Sequence, residues 1–200
     1  MKSYGFLPKL RWIIPSVAFL GLLGFTIIWW AEVSRGELPT LGTVPQFAMT
    51  TSTGQSFGLS EMQGKICIIS FMFTSCRSIC PTTQKNMAEL YRAFASSDKV
   101  QLISISVDPD HDTPEVLKAY AGNWGVNDDR WVFLRAPLAE VATFCEKGLM
   151  LPAEDLPGGH TAHFTLIDQT GHIRGYYDGM DDAAMKLLKS HIARLVREIS

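Results

Sequence analysis

The sequence carries no excess of positive charge: 18 Lys and Arg stand against 20 Asp and Glu, for a formal net charge of −2. A phosphate backbone is held by clustered basic side chains, so nucleic acid is excluded as a partner. Cysteine is also scarce. Four cysteines in 200 residues are too few to staple a chain of this length, so its domain must fold on an apolar core. Internal repeats and low-complexity tracts are absent. What remains is room for one membrane anchor and one domain of ordinary size.

Charge is missing altogether from one stretch. Trp12 to Ala31 reads WIIPSVAFLGLLGFTIIWWA between Arg11 and Glu32. About twenty such residues form a helix long enough for a hydrocarbon core of about 30 Å. Trp12 at one end and Trp29 and Trp30 at the other stand where an aromatic belt places them. Lys2, Lys9 and Arg11 precede the stretch, and Glu32 and Glu37 follow it. The positive-inside rule then puts the N-terminus in the cytoplasm and the main domain outside. The rival reading is a cleaved signal peptide, but this apolar run is longer than the usual signal core and no small-residue cleavage site follows it. The expected organisation is a cytoplasmic N-terminus (1–11), a transmembrane anchor (12–31), a polar Pro- and Gly-bearing linker (32–45) and a globular domain (46–200). The corresponding location is an inner membrane with the domain on the periplasmic side. The alternative is the mitochondrial inner membrane, with the domain facing the intermembrane space.

Within the domain, residues 46–50 and 55–58 flank Ser52, Thr53 and Gly54 as a small hairpin. Lys65–Phe73 and Val100–Val107 are nearly continuous apolar runs, as strands buried on both faces should be. Between and after them, the apolar period predicts helices over Thr82–Ala95, Thr113–Asn123 and Leu138–Lys147 and a last one from Asp181 and Asp182 onward. Arg130–Leu134 reads as a short strand, and residues 148–161 as a Gly/Pro-bearing loop. Ala162–Ile167 and Ile173–Tyr177 read as a hairpin around Gln169, Thr170 and Gly171. Alternating strands and helices closed by a hairpin predict an α/β domain with a mixed central sheet, in the order of a thioredoxin-like fold.

The informative cysteines are Cys76 and Cys80, in FTSCRSICP between the central strand and the first long helix. This is the carboxyl end of a strand, where open α/β sheets place their sites. It is also a helix N-terminus, whose dipole favours thiolate. Four-residue spacing puts both sulfurs on one side of a helical turn. Two thiolates there suit Cu(I), and also Zn, and the same pair can form a disulfide. Pro81 belongs in a first helical turn and fixes where the helix begins. Cys67, inside an apolar run, and Cys145, at the end of an apolar helix face, read as core.

These residues resemble a known family. FMFTSCRSICPTTQKNM is similar to the active-site segment of the SCO/SenC copper chaperones, which help to assemble cytochrome c oxidase. The resemblance continues through SVDPDHDTPEVLKAY and HTAHFTLIDQTGHIRGYYDG and covers nearly the whole domain. It implies a copper ion, Cu(I) or Cu(II), held by Cys76, Cys80 and His160. It further implies cytochrome c oxidase subunit II as the recipient, an upstream periplasmic copper donor, and a membrane-bound setting. Gly158 and Gly159 give the loop freedom for His160 to reach the cysteines. His163 is three residues on and points to the other side of the following strand. Arg77 departs from the proline common after the first cysteine, which touches redox tuning more than ligation. The resemblance also places Asp108 near the site. His111, His172 and His191 read as loop or structural residues. Two functions compete: copper delivery, or a thiol–disulfide oxidoreductase using Cys76 and Cys80 as its redox-active pair on a partner's cysteines. A peroxidase would need one activated thiolate with a distant resolving cysteine, and a redox or copper sensor would use the same residues. His160 discriminates the leading two, since a reductase needs only the pair.

Overall fold

The computed structural model describes residues 15, 17, 19, 21–26, 36–153, 156 and 162–199. The chain divides into two compact units, residues 1–38 and 39–200. In the first, residues 21–26 are helical, and Val17, Phe19, Leu22, Leu23 and Phe25 are exposed. Among the described residues no helix is long and apolar enough to cross a membrane. The expected anchor, 12–31, lies largely outside those residues.

The second unit is built on one eight-stranded sheet. Its elements are β1 (Gly42–Thr43), β2 (Ala48–Thr51), β3 (Ser56–Gly58), α1 (Leu59–Met62), β4 (Ile66–Met72), α2 (Cys80–Ala93), β5 (Val100–Ser106), α3 (Pro114–Asn123), β6 (Trp131–Arg135), α4 (Leu138–Thr143), β7 (His163–Ile167), β8 (His172–Asp178) and α5 (Asp182–Glu198). Spatial order is β1-β8-β7-β4-β5-β6-β2-β3. β4, β5 and β6 run parallel, and β7 joins β4 antiparallel. The mixed α/β sheet expected from the element order is therefore present.

Every residue of β4 and β5 is buried, as their unbroken apolar sequences require. Side chains alternate along a strand, so each strand feeds two cores. Cys67, Ile69 and Phe71 join Ile103, Ile105, Val141 and Phe144 in one cluster. Alternate residues Ile68 and Leu102 are equally buried and face the other way. On that second face Ser104 Oγ donates to Gln84 Oε1 of α2 at 3.3 Å and accepts from Trp131 Nε1 at 3.0 Å.

Two details differ from the sequence reading. The sheet starts inside the expected linker, because Gly42 and Thr43 pair with Ile173 and His172 of β8. Such a two-residue strand has no periodicity of its own and exists only through its distant partner. The helix expected over Leu138–Lys147 changes pitch after Thr143 into a single π turn, Phe144–Gly148. A β-carbon on Gly148 would sit 2.8 Å from the Phe144 ring, so only glycine closes this turn without displacing that ring. The turn delivers Cys145 into the core, as its sequence suggests.

A core of this extent does not need a metal to hold it together. Residues 39–200 are expected to fold cooperatively without added metal and with chelator present. A far-ultraviolet circular dichroism spectrum lacking ordered structure under those conditions would contradict this.

Candidate metal centre

β4 ends at Met72, and the chain turns outward through Phe73, Thr74 and Ser75 before Cys76. The Cys76 N–H donates to Phe73 O at 3.2 Å, closing a tight turn. Helix α2 then begins at Cys80 with Pro81 in its first turn, where the missing N–H costs no helical bond. The neighbouring strand is pinned to the same place by Val107 N–H donating to Met72 O at 2.9 Å. Both cysteines thus stand at the carboxyl end of the central strand, as the sequence predicts.

The two thiols are not equivalent. Cys80 is 1% exposed, whereas Cys76 is half-buried, with its Sγ 3.4 Å from Ser78 Oγ. Arg77, between them in sequence, is exposed. Burial pushes the Cys80 thiol up to about 12; the Phe73 backbone opposes this, and Cys76 and the Asp112 charge add to it. The helix-end dipole is therefore outweighed by desolvation, and Cys80 holds its proton at neutral pH. Burial likewise pushes Cys67 and Cys145 up to about 12. Both are fully enclosed and act as packing, as expected from their positions.

A carboxylate to which the sequence gave no role in the site holds the turn that leads into the pair. Asp112 is fully buried. Its oxygens accept from the Thr74 N–H at 3.2 and 3.3 Å, from Thr74 Oγ1 at 2.5 Å and from Ser106 Oγ at 2.6 Å. His111 Nδ1 lies 3.3 Å from Asp112 Oδ1 and 3.4 Å from Thr74 Oγ1, with its side chain 57% exposed. Asp108, which the sequence favoured, is half-buried. Its N–H donates to Ser106 Oγ at 3.1 Å, and its carbonyl accepts from the Asp112 N–H at 2.9 Å. Tyr120 of α3 packs edge-on against Trp124 and Phe133. Burial pushes its phenol up to about 12; Trp124 opposes this, and Cys80, Cys76 and Asp112 add to it. Tyr120 carried no sequence signal, because a tyrosine on a helix face reads as ordinary packing.

His163 opens β7 and is exposed, while Phe164 beside it is buried. His172 and His191 are held locally, by Thr170 Oγ1 and by Tyr177 Oη respectively, each at 2.6 Å. They do structural work, as expected. His160 lies outside the described residues. Among the described residues, no group of three or more His, Cys, Asp or Glu is placed to hold a metal ion.

An α/β domain with a cysteine pair at the strand-to-helix turn defines a class of thiol-bearing carriers and redox proteins. Comparison with known proteins narrows the class. The SCO1/SenC family model matches residues 36–197, and the chain belongs to that family. It is 29% identical over 145 residues to the SCO1 protein homolog of Bacillus subtilis, covering 70% of this chain and 75% of that one. BsSco, a member of the Sco family of cytochrome c oxidase assembly proteins in which a disulfide switch has been identified, superimposes with a TM-score of 0.71 at 26% identity. That match covers 80% of this chain and 98% of BsSco. ScoI of Bradyrhizobium japonicum, solved with copper bound, has a TM-score of 0.61 at 27% identity over 76% of this chain and 99% of its own.

Proposed function

We propose that this chain is a thioredoxin-like copper metallochaperone that carries one copper ion on Cys76, Cys80 and His160. Its role is to deliver copper to, or mature, the binuclear copper site of cytochrome c oxidase subunit II. The observation that carries this reading is the cysteine pair at the end of β4, one sulfur enclosed and one half-buried, in a chain of the SCO1/SenC family. Two thiolates and an imidazole form a soft donor set that suits Cu(I). The half-buried Cys76 gives an incoming ion a first contact, and the enclosed Cys80 shields it afterwards. Copper arrives from a periplasmic donor and leaves for the oxidase subunit. The chain is anchored by residues 12–31 in the inner membrane with the domain on the periplasmic side, a reading supported by the uncharged run and its flanking charges.

Ligation by Cys80 carries a definite pH dependence. Copper takes the thiolate, while burial holds the thiol at about 12. Binding therefore expels that proton at any lower pH, and affinity rises with pH. For Cys80 alone the gain is about tenfold per pH unit, so Cu(I) competition titrations at about pH 6 and about pH 8 should differ by at least about a hundredfold. One copper per chain is expected at both. A pH-independent affinity would remove Cys80 from the ligand set.

A further inference from the structure

We propose that Asp112 is the positioning residue of the cysteine pair: through Thr74 it holds the Cys76 loop in register over Cys80. The proposal rests on the reading of Cys76 and Cys80 as the working pair.

A carboxylate with no exposed surface is costly unless its oxygens are saturated with donors. Those of Asp112 are met from two directions. Ser106 donates from the end of β5 at 2.6 Å. Thr74 donates twice over, through its hydroxyl at 2.5 Å and through its backbone N–H at 3.2 and 3.3 Å. Helix α3 does not explain the arrangement, because Thr113 caps it by accepting from the Val116 N–H at 3.4 Å. The carboxylate is thus spent on the loop that leaves β4, two residues ahead of Cys76.

Within the loop the Cys76 N–H donates to Phe73 O at 3.2 Å and Cys76 Sγ lies 3.4 Å from Ser78 Oγ; Asp112 adds the tie from Thr74 to the end of β5. Ser75, Arg77 and Ser78 are exposed, and Thr74, Cys76 and Ile79 are only half-buried. A chain segment with so few packed side chains samples many conformations unless hydrogen bonds fix it. Anchoring Thr74 removes most of that freedom and raises the effective concentration of the Cys76 sulfur at Cys80. His111, against the same carboxylate oxygen, covers it from the solvent side.

The test needs no copper. The full chain, solubilised in detergent, is equilibrated with glutathione. Two glutathione thiols reduce the Cys76–Cys80 disulfide to two thiols and leave one glutathione disulfide. Loss of positioning lowers the effective concentration of one sulfur at the other, so the equilibrium moves toward the dithiol. Asp112→Asn is expected to move it about tenfold, equivalent to about 30 mV. Thr74→Val, which keeps the side-chain shape and removes the hydroxyl, is expected to move it about threefold in the same direction. Thr74→Ser, which restores the hydroxyl, should stay within about twofold of wild type. Adding Thr74→Val to Asp112→Asn should add less than it does alone, since both cut one network. Thermal midpoints in the same samples report any general loss of stability. If Asp112→Asn lowers the midpoint while it and Thr74→Val leave the redox equilibrium at the wild-type value, the carboxylate only supports the fold and the proposal is overturned. If Asp112→Asn fails to fold, the contrast between Thr74→Val and Thr74→Ser decides alone. A wild-type chain that binds no copper but shows this pattern would sink the copper reading and leave the positioning role standing. Copper binding with a flat redox pattern would do the reverse.

Discussion

Replacing Cys76 or Cys80 with alanine is expected to weaken copper binding by more than about a hundredfold, because removing even an outer-sphere partner of a ligand typically costs about 10–100-fold. One copper per chain in the wild type should fall to none under a competing chelator. The same substitution at Cys67 or Cys145 should leave the stoichiometry at one. These two sulfurs lie among Ile69, Ile103, Phe144 and their neighbours in the core cluster, with their protons held by burial. Their loss leaves a small cavity worth about 1 kcal/mol of stability, which a thermal midpoint can read. The paired measurement separates ligand from filler: copper stoichiometry responds to one pair of cysteines and stability to the other. Full copper retention in Cys80→Ala would overturn the assignment, since Cys80 is the thiol that the fold encloses at the start of α2.

The sequence yields these assignments because each depends on local pattern. The strands expected over Lys65–Phe73 and Val100–Val107 appear as Ile66–Met72 and Val100–Ser106, since an unbroken apolar run is a strong statement that both faces are covered. The helix expected over Thr113–Asn123 appears as Pro114–Asn123, with Thr113 as its cap and Pro114 in the first turn. Features set by distant partners were not legible. β1 exists only because β8, some hundred and thirty residues later, offers it hydrogen bonds. Asp112 looked like one of three loop aspartates in DPDHDTP. Nothing local distinguishes the one that turns inward to meet Thr74 and Ser106 from the half-buried Asp108 and the exposed Asp110. The thiolate-favouring effect of a helix N-terminus was legible, but the burial that outweighs it at Cys80 is a property of the packed molecule.

His160→Ala should weaken copper binding strongly while leaving the Cys76–Cys80 disulfide able to form and exchange. Imidazole is a ligand in metal delivery and has no part in thiol–disulfide exchange, so this one substitution divides the two chemistries that the cysteine pair permits. The control is His163→Ala. His163 sits at the exposed start of β7, next to the buried Phe164, and should change copper binding little. If His163 proves to be the ligand, the strand register inferred for residues 160–163 is wrong while the copper function stands. The decisive comparison is made in cells. A copper-delivering chain lacking His160 should leave the oxidase without its binuclear centre, as the cysteine variants do. A chain that acts only by reducing the oxidase subunit's cysteines should still support the centre without His160. Spectra of the assembled oxidase in the three backgrounds therefore give opposite patterns. Loss in all three supports delivery. Loss in Cys76→Ala and Cys80→Ala with wild-type levels in His160→Ala would make this chain a thiol reductase, whatever copper it binds in isolation.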